Sequence, residues 1–210
     1  MTILAPILER PGLSETIKGH FLEQFAALDI EPEVFLSSRQ FYKDYPSENF
    51  FGRLARMRQW VIDTALKDYH TEVLWIDHDI VEFPHDLYQR LRKTEGIVAP
   101  IVLIEGTRDN YDTAGMRESA EYRSAVENPW FIGWGAGPVV NVESVGGCVL
   151  VPADVHRKVK FEAQPDTDEN WLTEWWALCQ GALAEGFNVS CDTSIEVYHA
   201  HLPSYGESWH

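Results

Sequence analysis

Two carboxylates, Asp77 and Asp79, come directly after a run of four apolar residues, Val73 to Ile76. A short apolar run that is rich in strand-forming side chains predicts a strand buried on both faces of a sheet. In an open α/β sheet, the carboxyl ends of the strands face the ligand crevice. Because an unpaired ionised carboxylate is costly to bury, we expect these side chains to have a cationic partner. A hard divalent cation that joins both aspartates to a diphosphate would supply one.

The segments before these aspartates predict the start of a parallel α/β sheet. The predicted elements are a strand from Thr2 to Ile7, a helix capped by Ser14 that ends near Leu28, and a strand from Val34 to Leu36. Strand, helix and strand in this order form a right-handed parallel unit, which opens a doubly wound α/β fold. A further helix is predicted from Gly52 to Leu66, just before the strand that carries the aspartates.

The segments after the aspartates continue the alternation of strands and helices. Pro84 fits the first turn of a helix from His85 to Lys93. The remaining predicted elements are a strand over 97–104, a short helix over 116–128, a strand region over 139–151, a short helix over 153–158, a helix over 167–186 capped by Thr167 or Asp168, and closing strands over 189–191 and 195–198. The paired glycines Gly146 and Gly147 interrupt the strand region, which indicates a bulge or another group close to the backbone. A sugar, a phosphate or a neighbouring strand could be that group.

Three arginines, Arg53, Arg56 and Arg58, lie in the first half of the predicted 52–66 helix. The apolar stripe predicted to face the core consists of Leu54, Met57, Val61 and Leu66. One interpretation of the arginines is a solvated basic face, and the other is bidentate binding of ligand phosphates. The pattern leaves both open.

The composition argues against some classes of function. The chain has 210 residues, 45% of them hydrophobic, which suits one large domain or a tight pair of subdomains. With 17 Lys and Arg against 33 Asp and Glu, the net charge of −16 argues against a nucleic-acid-binding protein. The three cysteines lack metal-binding spacing and predict free thiols in a reducing compartment. No apolar run is long enough to span a membrane, so we expect a cytoplasmic protein.

Six short motifs resemble those of one family and occur in the same order. They are Leu54 to Gln59 in the basic helix, Val73 to Glu82 with Pro84, Tyr111-Asp112 with Arg117 to Ser119, Val145 to Gly147, Leu172 to Glu174, and Val197 to His199. On these residues the chain is similar to the GT-A glycosyltransferases, and specifically to family 62, the fungal Golgi mannan-polymerase α-mannosyltransferases. The family motifs that they resemble are, in the same order, the basic helix, VLWxDxDIVExP, YD and QES, DGVGG, ETEG, and the closing YH or WH.

Two motif positions differ from the family pattern. Glu143-Ser144 stands where the family has Asp-Gly before VGG, and Trp175 stands where it has Gly. Both positions lie on the acceptor or sugar side, so the differences concern the identity of the substrates. We find no counterpart of the membrane anchor of the fungal enzymes in this sequence. A small, soluble GT-A domain of this kind also resembles those encoded by large viruses, phages and bacteria. We therefore expect a cytoplasmic location, in the host cell if the source is viral.

The resemblance implies a fold and a reaction. It implies one GT-A domain over 1–210, which is α/β and Rossmann-like, with a mostly parallel central sheet, helices on both faces and a small antiparallel acceptor-side part. The nucleotide-binding half is expected over about 1–100 and the acceptor-side half over about 101–210. The implied reaction moves a sugar from a nucleotide sugar, GDP-mannose or a UDP-sugar, to a glycan or glycoprotein acceptor, with retention of configuration.

The resemblance also implies a site. A Mn²⁺ or Mg²⁺ ion is expected on Asp79, His199 and Asp77, and Asp77 is also expected to contact the ribose or sugar. The implied donor-binding residues are Pro6 and Ile7 beside the base, Arg56 and Arg58 beside the diphosphate, and Asp77, Gly146 and Gly147. The candidates for binding sugar hydroxyls or easing proton transfer are Glu118, Glu143 and Glu174, which spacing does not rank.

Two other interpretations use the same residues. A non-catalytic scaffold subunit that binds a nucleotide sugar would share the fold, but the intact Asp77-His78-Asp79 argues against it. A metal-dependent phosphohydrolase would use the same carboxylates, but it normally needs more Asp and His ligands than this sequence offers. The oligomeric state stays open.

Overall fold

The structure, a computed structural model, describes residues 2–9, 13–37, 50–106, 117–118, 138–162 and 173–200. Within these ranges the chain forms both strands and helices. In chain order they are β1 (Thr2–Leu8), α1 (Glu15–Ala26), β2 (Glu33–Ser37), α2 (Phe50–Ala65), β3 (His70–Ile76), β4 (Ile80–Glu82), α3 (Leu87–Leu91), β5 (Ile97–Ile104), β6 (Arg117–Glu118), β7 (Val139–Ser144), β8 (Cys148–Pro152), α4 (Ala153–Lys158), α5 (Glu174–Ala184) and β9 (Val189–His199).

The strands of the described ranges form one sheet in the order β2-β1-β3-β8-β5-β9-β7-β6, and β4 pairs with β9 beside this path. β1 is parallel to β2 and β3, and β5 is parallel to β9. β8 runs antiparallel between β3 and β5, while β7 runs antiparallel to β9 and β6. Thus β1, β2, β3, β5, β6 and β9 point in one direction. The predicted α/β fold with a mostly parallel central sheet and an antiparallel part is confirmed.

Strand β3 lies inside the sheet and ends at the two aspartates. Its last four residues, Val73 to Ile76, are all buried, as expected for a strand covered on both faces. The strand pairs with β1 on one side and β8 on the other, with Ile76 opposite Cys148. Beyond the strand, the backbone N–H of Asp77 donates to the carbonyl of Gly147 (2.8 Å). The aspartates therefore leave the sheet at the carboxyl ends of its parallel strands.

Several elements confirm the sequence predictions because local chemistry determines them. Ser14 caps α1, and its side-chain oxygen accepts from the N–H of Ile17 (3.3 Å). The strand over 97–104 and the helix over 153–158 have the predicted bounds. Gly186, with a φ of 83°, follows the end of α5.

The helix predicted after Pro84 is shorter and begins later than expected. The N–H of Leu87 donates to the carbonyl of Pro84 (3.0 Å), so these residues close a turn before the helix starts. Helix α3 covers only Leu87–Leu91, after the cap residue Asp86. The prediction of Pro84 in the first helical turn is therefore wrong.

The second half of the chain contains two further corrections. Arg117 and Glu118 form strand β6 against β7, so the predicted helix over 116–128 is wrong at these residues, and the others lie outside the described residues. Helix α5 begins at Glu174, where the side chain of Thr173 accepts from the N–H of Trp176 (3.2 Å). The prediction that Thr167 or Asp168 caps it is wrong, and both residues lie outside the described ranges.

The two predicted closing strands are one strand, β9. Its pairing with β5 shifts register between Pro100 and Ile101, which lie opposite Asp192 and Glu196. Extra residues in one strand of a pair form a bulge without ending the ladder. Residues 192–194, which lie between the two predicted strands, therefore belong to one continuous strand.

Helix α2 presents a different face to the core than its hydrophobic pattern predicts. The predicted core residues Leu54, Met57 and Leu66 are only partly buried, and Val61 alone of the four is fully covered. The buried side chains of this face are Ala55, Arg58, Val61, Ile62 and Ala65. The helix is thus rotated so that an arginine lies in the middle of its buried stripe.

Most of the buried apolar side chains of the described residues form one hydrophobic cluster, which includes residues of β1, α1, β3, β5, β8, α5 and β9. Trp75 and Phe21 are the largest fully buried side chains. None of the helices in the described ranges has the length and apolarity needed to cross a membrane.

Gly96 offers a test of the start of the β5–β9 pairing. Its φ is 96°, and a Cβ there would lie 2.4 Å from the carbonyl oxygen of Asn188, which accepts a hydrogen bond from the N–H of Ile97 (2.8 Å). We expect Gly96→Ala to lower the free energy of unfolding by about 3 kcal/mol or more, because left-handed strain and a backbone clash add. Urea-induced unfolding measures the change.

Gly106→Ala is the matched control for this substitution. Gly106 has a φ of 81°, but a Cβ there would meet no heavy atom within 4 Å. We expect Gly106→Ala to lower the free energy of unfolding by only about 1–2 kcal/mol, the cost of a left-handed backbone conformation for alanine. Equal losses for the two variants would show that the close approach of Asn188 is unimportant.

Candidate active site

A buried carboxylate and a buried imidazole meet where β4 pairs with β9. The register places Ile80 opposite His199, and the N–H of Ala200 donates to the carbonyl of Asp79 (2.8 Å). This pairing brings Asp79 Oδ2 to 3.0 Å from His199 Nε2. The two side chains are only 3% and 1% exposed. The last described strand therefore completes a site that begins at the end of β3.

The second ring nitrogen of His199 determines what this pair can hold. His199 Nδ1 lies 2.8 Å from the carbonyl oxygen of Ala200, which can only accept, so Nδ1 carries the hydrogen. In the neutral ring, Nε2 then directs its lone pair at the Asp79 carboxylate. Two lone pairs at this distance require a cation between them, either a proton or a metal ion. A backbone carbonyl on the far nitrogen is the arrangement that orients metal-binding histidines, so the pair fits a divalent cation.

The structure brings together two of the three predicted metal ligands. Asp79 and His199 are in contact, whereas Asp77 bonds to Arg58. Among the described residues, no three His, Cys, Asp or Glu side chains lie close enough together to hold a metal ion. A cation on Asp79 and His199 would need further oxygen ligands from a substrate or water, which is usual for Mn²⁺ and Mg²⁺.

Asp77 belongs to a second cluster, which is centred on the guanidinium of Arg58. Arg58 Nη2 donates to Asp77 Oδ1 (2.9 Å), and Arg58 Nε donates to Glu174 Oε1 (3.0 Å). The guanidinium carbon lies 5.2 Å from the ring centre of Trp75 and 4.9 Å from that of Trp175. Two carboxylates therefore bind the edge of the guanidinium and two indoles contact it by cation–π interactions.

Burial and charge act in opposite directions on this cluster. Burial disfavours the charged guanidinium, but the carboxylates of Asp77 and Glu174 hold the pKa of Arg58 above its ordinary value. Burial raises the pKa of Glu174, although Arg58 opposes this shift. The side chain of Asp77 is 34% exposed, while those of Arg58 and Glu174 are almost fully covered. Asp77 is thus the only one of the three that reaches solvent.

The predicted basic face of α2 is divided. Arg58 is buried, so the interpretation of a solvated face is wrong at this residue. The two carboxylate partners and the two indoles of Arg58 offset the cost of burying its charge. Arg56 is exposed, and Arg53 is partly buried. The arginines of one helix therefore have different surroundings.

The other predicted donor-binding residues lie in strands or at their ends. Pro6 and Ile7 are buried within β1, opposite Phe35 and Leu36 of β2. Gly146 and Gly147 are buried between β7 and β8. Gly147 has a φ of 70°, and its carbonyl accepts the N–H of Asp77, so the group close to this glycine is the chain that follows β3.

Of the three predicted catalytic glutamates, Glu174 joins one of the clusters described above. Glu143 is partly buried in β7, and its backbone carbonyl accepts from Gln180 Nε2 (2.8 Å). Glu118 lies in β6, and its side chain is outside the described residues. The structure therefore unites Arg58, Asp77 and Glu174 in one group, and Asp79 with His199 in another.

The sequence analysis did not predict the aromatic surroundings of Arg58 or the hydrogen bond between Trp75 and His156. Trp75 Nε1 donates to His156 Nε2 (3.1 Å), and Phe161 packs edge-on against both Trp75 and Trp175. Burial, together with the smaller effect of the charge of Arg58, lowers the pKa of His156 to about 3. These contacts join residues far apart in the chain, so spacing carries no signal for them. The signal in the sequence for these aromatic surroundings was Trp175, which departs from the family motif.

His78, between the two aspartates, is directed away from both clusters. Its ring contacts Phe21 of α1 in an edge-to-face arrangement, with the ring centres 4.8 Å apart. Neither ring nitrogen has a hydrogen-bond partner among the described residues, and burial lowers the pKa of this imidazole. The segment 77–79 is thus anchored to the core by its middle residue.

Comparison with solved structures identifies the fold. The crystal structure of GalNAc-T7 with UDP, GalNAc and Mn²⁺ matches with a TM-score of 0.55 at 11% sequence identity, over 99% of this chain and 44% of that chain. The chain has a GT-A fold. It spans less than half the length of the GalNAc-T7 chain. A protein assigned to the nucleotide-diphospho-sugar transferases from Desulfovibrio desulfuricans G20 matches at 10% identity with a TM-score of 0.42, over 92% of this chain and 84% of that chain.

Comparison by sequence adds a family match for part of this GT-A chain. Residues 52–128 match the family model Anp1. This segment includes α2 with Arg58 and the 77–79 segment, but it ends before Glu174 and His199. No curated protein matches the sequence.

Arg58 should be essential for stability. We expect Arg58→Met to lower the free energy of unfolding by about 3–5 kcal/mol, because it leaves the carboxylate of Glu174 buried and that of Asp77 half-buried without their cation. Arg56→Met, at an exposed position of the same helix, should change it by less than about 1 kcal/mol. Urea-induced unfolding compares the two. Similar losses would mean that the ion-pair cluster contributes little.

His156 should make stability depend on pH. Its pKa is about 3 in the folded chain, against an ordinary value of 6.5 for a histidine in an unfolded chain, so on acidification the unfolded chain takes up a proton first. This contribution is complete above pH 6.5 and is lost as the pH falls toward 3. Between about pH 7.5 and pH 5 we expect a loss of about 2 kcal/mol from this residue.

The variant His156→Gln isolates that contribution. Its amide oxygen can still accept from Trp75 Nε1, but it does not titrate. Urea-induced unfolding at about pH 7.5 and pH 5 should show a loss smaller by about 2 kcal/mol in the variant than in the wild type. An identical pH dependence in both proteins would mean that His156 takes up protons in the folded state.

Proposed function

We propose that this protein is a metal-dependent glycosyltransferase that moves a sugar from a nucleotide sugar to a glycan or glycoprotein acceptor. The observation that carries the proposal is the buried contact of Asp79 Oδ2 with His199 Nε2, a pair that fits a divalent cation. The contact lies at the carboxyl ends of parallel strands, where open α/β folds bind ligands. The GT-A fold supports the assignment to sugar transfer.

Asp79 and His199 are the residues proposed to hold the metal ion. One oxygen and one imidazole nitrogen suit Mn²⁺ better than Mg²⁺, which prefers oxygen ligands alone. When bound, such an ion neutralises the charge of the departing nucleoside diphosphate. The protein itself fixes the imidazole through the Ala200 carbonyl and keeps both ligands out of bulk water. The partly exposed carboxylate of Asp77 is proposed to accept a ribose or sugar hydroxyl.

The proposed donor is a nucleoside diphosphate sugar. The Anp1 family, which residues 52–128 match, is related to mannosyltransferases, which supports GDP-mannose. GalNAc-T7 was crystallised with UDP and Mn²⁺, which supports a UDP-sugar. Retention of configuration and the acceptor roles of Glu118 and Glu143 rest on the family resemblance alone. We propose both donors as candidates, within one GT-A domain that acts in the cytoplasm.

Nucleoside diphosphate release tests the proposal. The protein is incubated with GDP-mannose and a set of UDP-sugars, together with Mn²⁺ and mixed oligosaccharides. We expect release with one donor, its loss in EDTA, and a decrease of about 100-fold or more in kcat/KM for Asp79→Asn and for His199→Ala, because each removes a proposed metal ligand. Asp68→Asn, at an exposed turn, is the control and should retain full activity.

Each other outcome points elsewhere. Turnover that survives EDTA or Asp79→Asn would overturn the metal-dependent mechanism. Calorimetric binding of a nucleotide sugar without turnover of any donor would favour the non-catalytic scaffold subunit. Release of a nucleoside monophosphate and a sugar 1-phosphate instead of a nucleoside diphosphate would favour a phosphohydrolase.

A further inference from the structure

We propose that Arg58 and Glu174 are positioning residues, which act on the donor through Asp77 and do not touch it. The proposal rests on the proposed function, because it concerns the same donor site. It assigns new roles to residues whose sequence pattern suggested binding of phosphates by Arg58 and of sugar hydroxyls by Glu174. The contacts run from Asp77 to Arg58 and then to Glu174.

Asp77 is held from two directions. Its backbone N–H donates to the carbonyl of Gly147 (2.8 Å), which fixes the main chain just beyond β3. Its side-chain Oδ1 accepts from Arg58 Nη2 (2.9 Å), which fixes the rotation of the carboxylate. The side chain is still 34% exposed. One part of Asp77 is therefore committed to the protein, while another part remains available to a ligand.

Arg58 lacks the freedom to reach a ligand itself. Its side chain is only 4% exposed, and its Nε and Nη2 atoms both donate to carboxylates. The indoles of Trp75 and Trp175 contact the guanidinium as well. Because a guanidinium is planar and its donors are fixed relative to one another, the direction of its bond to Asp77 depends on what holds its other edge. That edge is held by Glu174.

Glu174 is in turn fixed by the start of helix α5. Thr173 caps the helix through the N–H of Trp176, so Glu174 occupies the first helical position. Its side chain is 3% exposed, and Oε1 accepts from Arg58 Nε (3.0 Å). The side chain of Glu174 therefore contacts Arg58 in the protein interior, and it exposes too little surface to bind a sugar. Any effect of Glu174 on the donor should pass through Arg58 and Asp77.

A double-mutant cycle between positions 174 and 77 tests this route. The affinity for the donor's nucleoside diphosphate with Mn²⁺ is measured by calorimetry for Glu174→Leu, Asp77→Asn and the double variant. We expect Glu174→Leu to weaken binding about tenfold in the wild-type background and less than about twofold in the Asp77→Asn background. An equal factor in both backgrounds would overturn the proposal, because Glu174 would then act independently of Asp77.

The conservative variant Glu174→Gln separates positioning from acid–base chemistry. Its amide oxygen can still accept from Arg58 Nε, so we expect kcat and affinity within about threefold of the wild type. A large loss of kcat in Glu174→Gln would instead make Glu174 a catalytic residue. Glu185→Gln, at an exposed position just after the same helix, is the control and should match the wild type.

A crystal structure of Glu174→Leu without nucleotide keeps this test apart from the proposed function. We expect the Asp77 carboxylate to rotate away from its wild-type position once Arg58 Nε has lost its partner. An unmoved Asp77 carboxylate would overturn the proposal, whether or not the wild type binds nucleotide. Failure of the wild type to bind any nucleotide would count against the proposed function alone. If Glu174→Leu does not fold, Glu174→Gln and its kcat still decide between the two roles.

Discussion

The buried guanidinium of Arg58 is the constraint on which the arrangement of the site depends. Removing a guanidinium from water is costly, and the cost is offset only if charged partners surround it. Here the partners come from two distant parts of the chain, since Trp75 and Asp77 lie at the end of β3 and Glu174 begins α5. Satisfying one cation therefore fixes how helix α2, the central strand and helix α5 pack together.

This requirement also explains why the two aspartates of one short motif have different partners. Asp77 is neutralised by the guanidinium of Arg58, whereas Asp79 faces the imidazole of His199, with which it could hold a divalent cation. The two carboxylates are thus chemically distinct, although they are separated by one residue. A single strand end can in this way supply two carboxylates with different roles.

How much of this could be read from the sequence depended on whether a feature was local. The buried strand Val73–Ile76 and the cap Ser14 were predicted because composition and side-chain chemistry at the position itself determine them. The orientation of α2 towards the core was not predicted, because a hydrophobic pattern counts an arginine as polar and assigns it to the surface. Strand β6 was missed because two residues carry no periodicity, and only their pairing with β7 makes them a strand. The pairing of Glu174 with Arg58 joins distant segments, so spacing could not reveal it.

The register between β4 and β9 has a consequence for when the Asp79–His199 pair forms during folding. Asp79 and His199 meet only after β9, the last of the described strands, has joined the sheet, because the contact depends on Ile80 lying opposite His199. A chain still emerging from the ribosome would hold the carboxylate without its imidazole. A cation that binds both would therefore favour only the fold in which β9 has joined the sheet, and its free energy of binding would stabilise that fold.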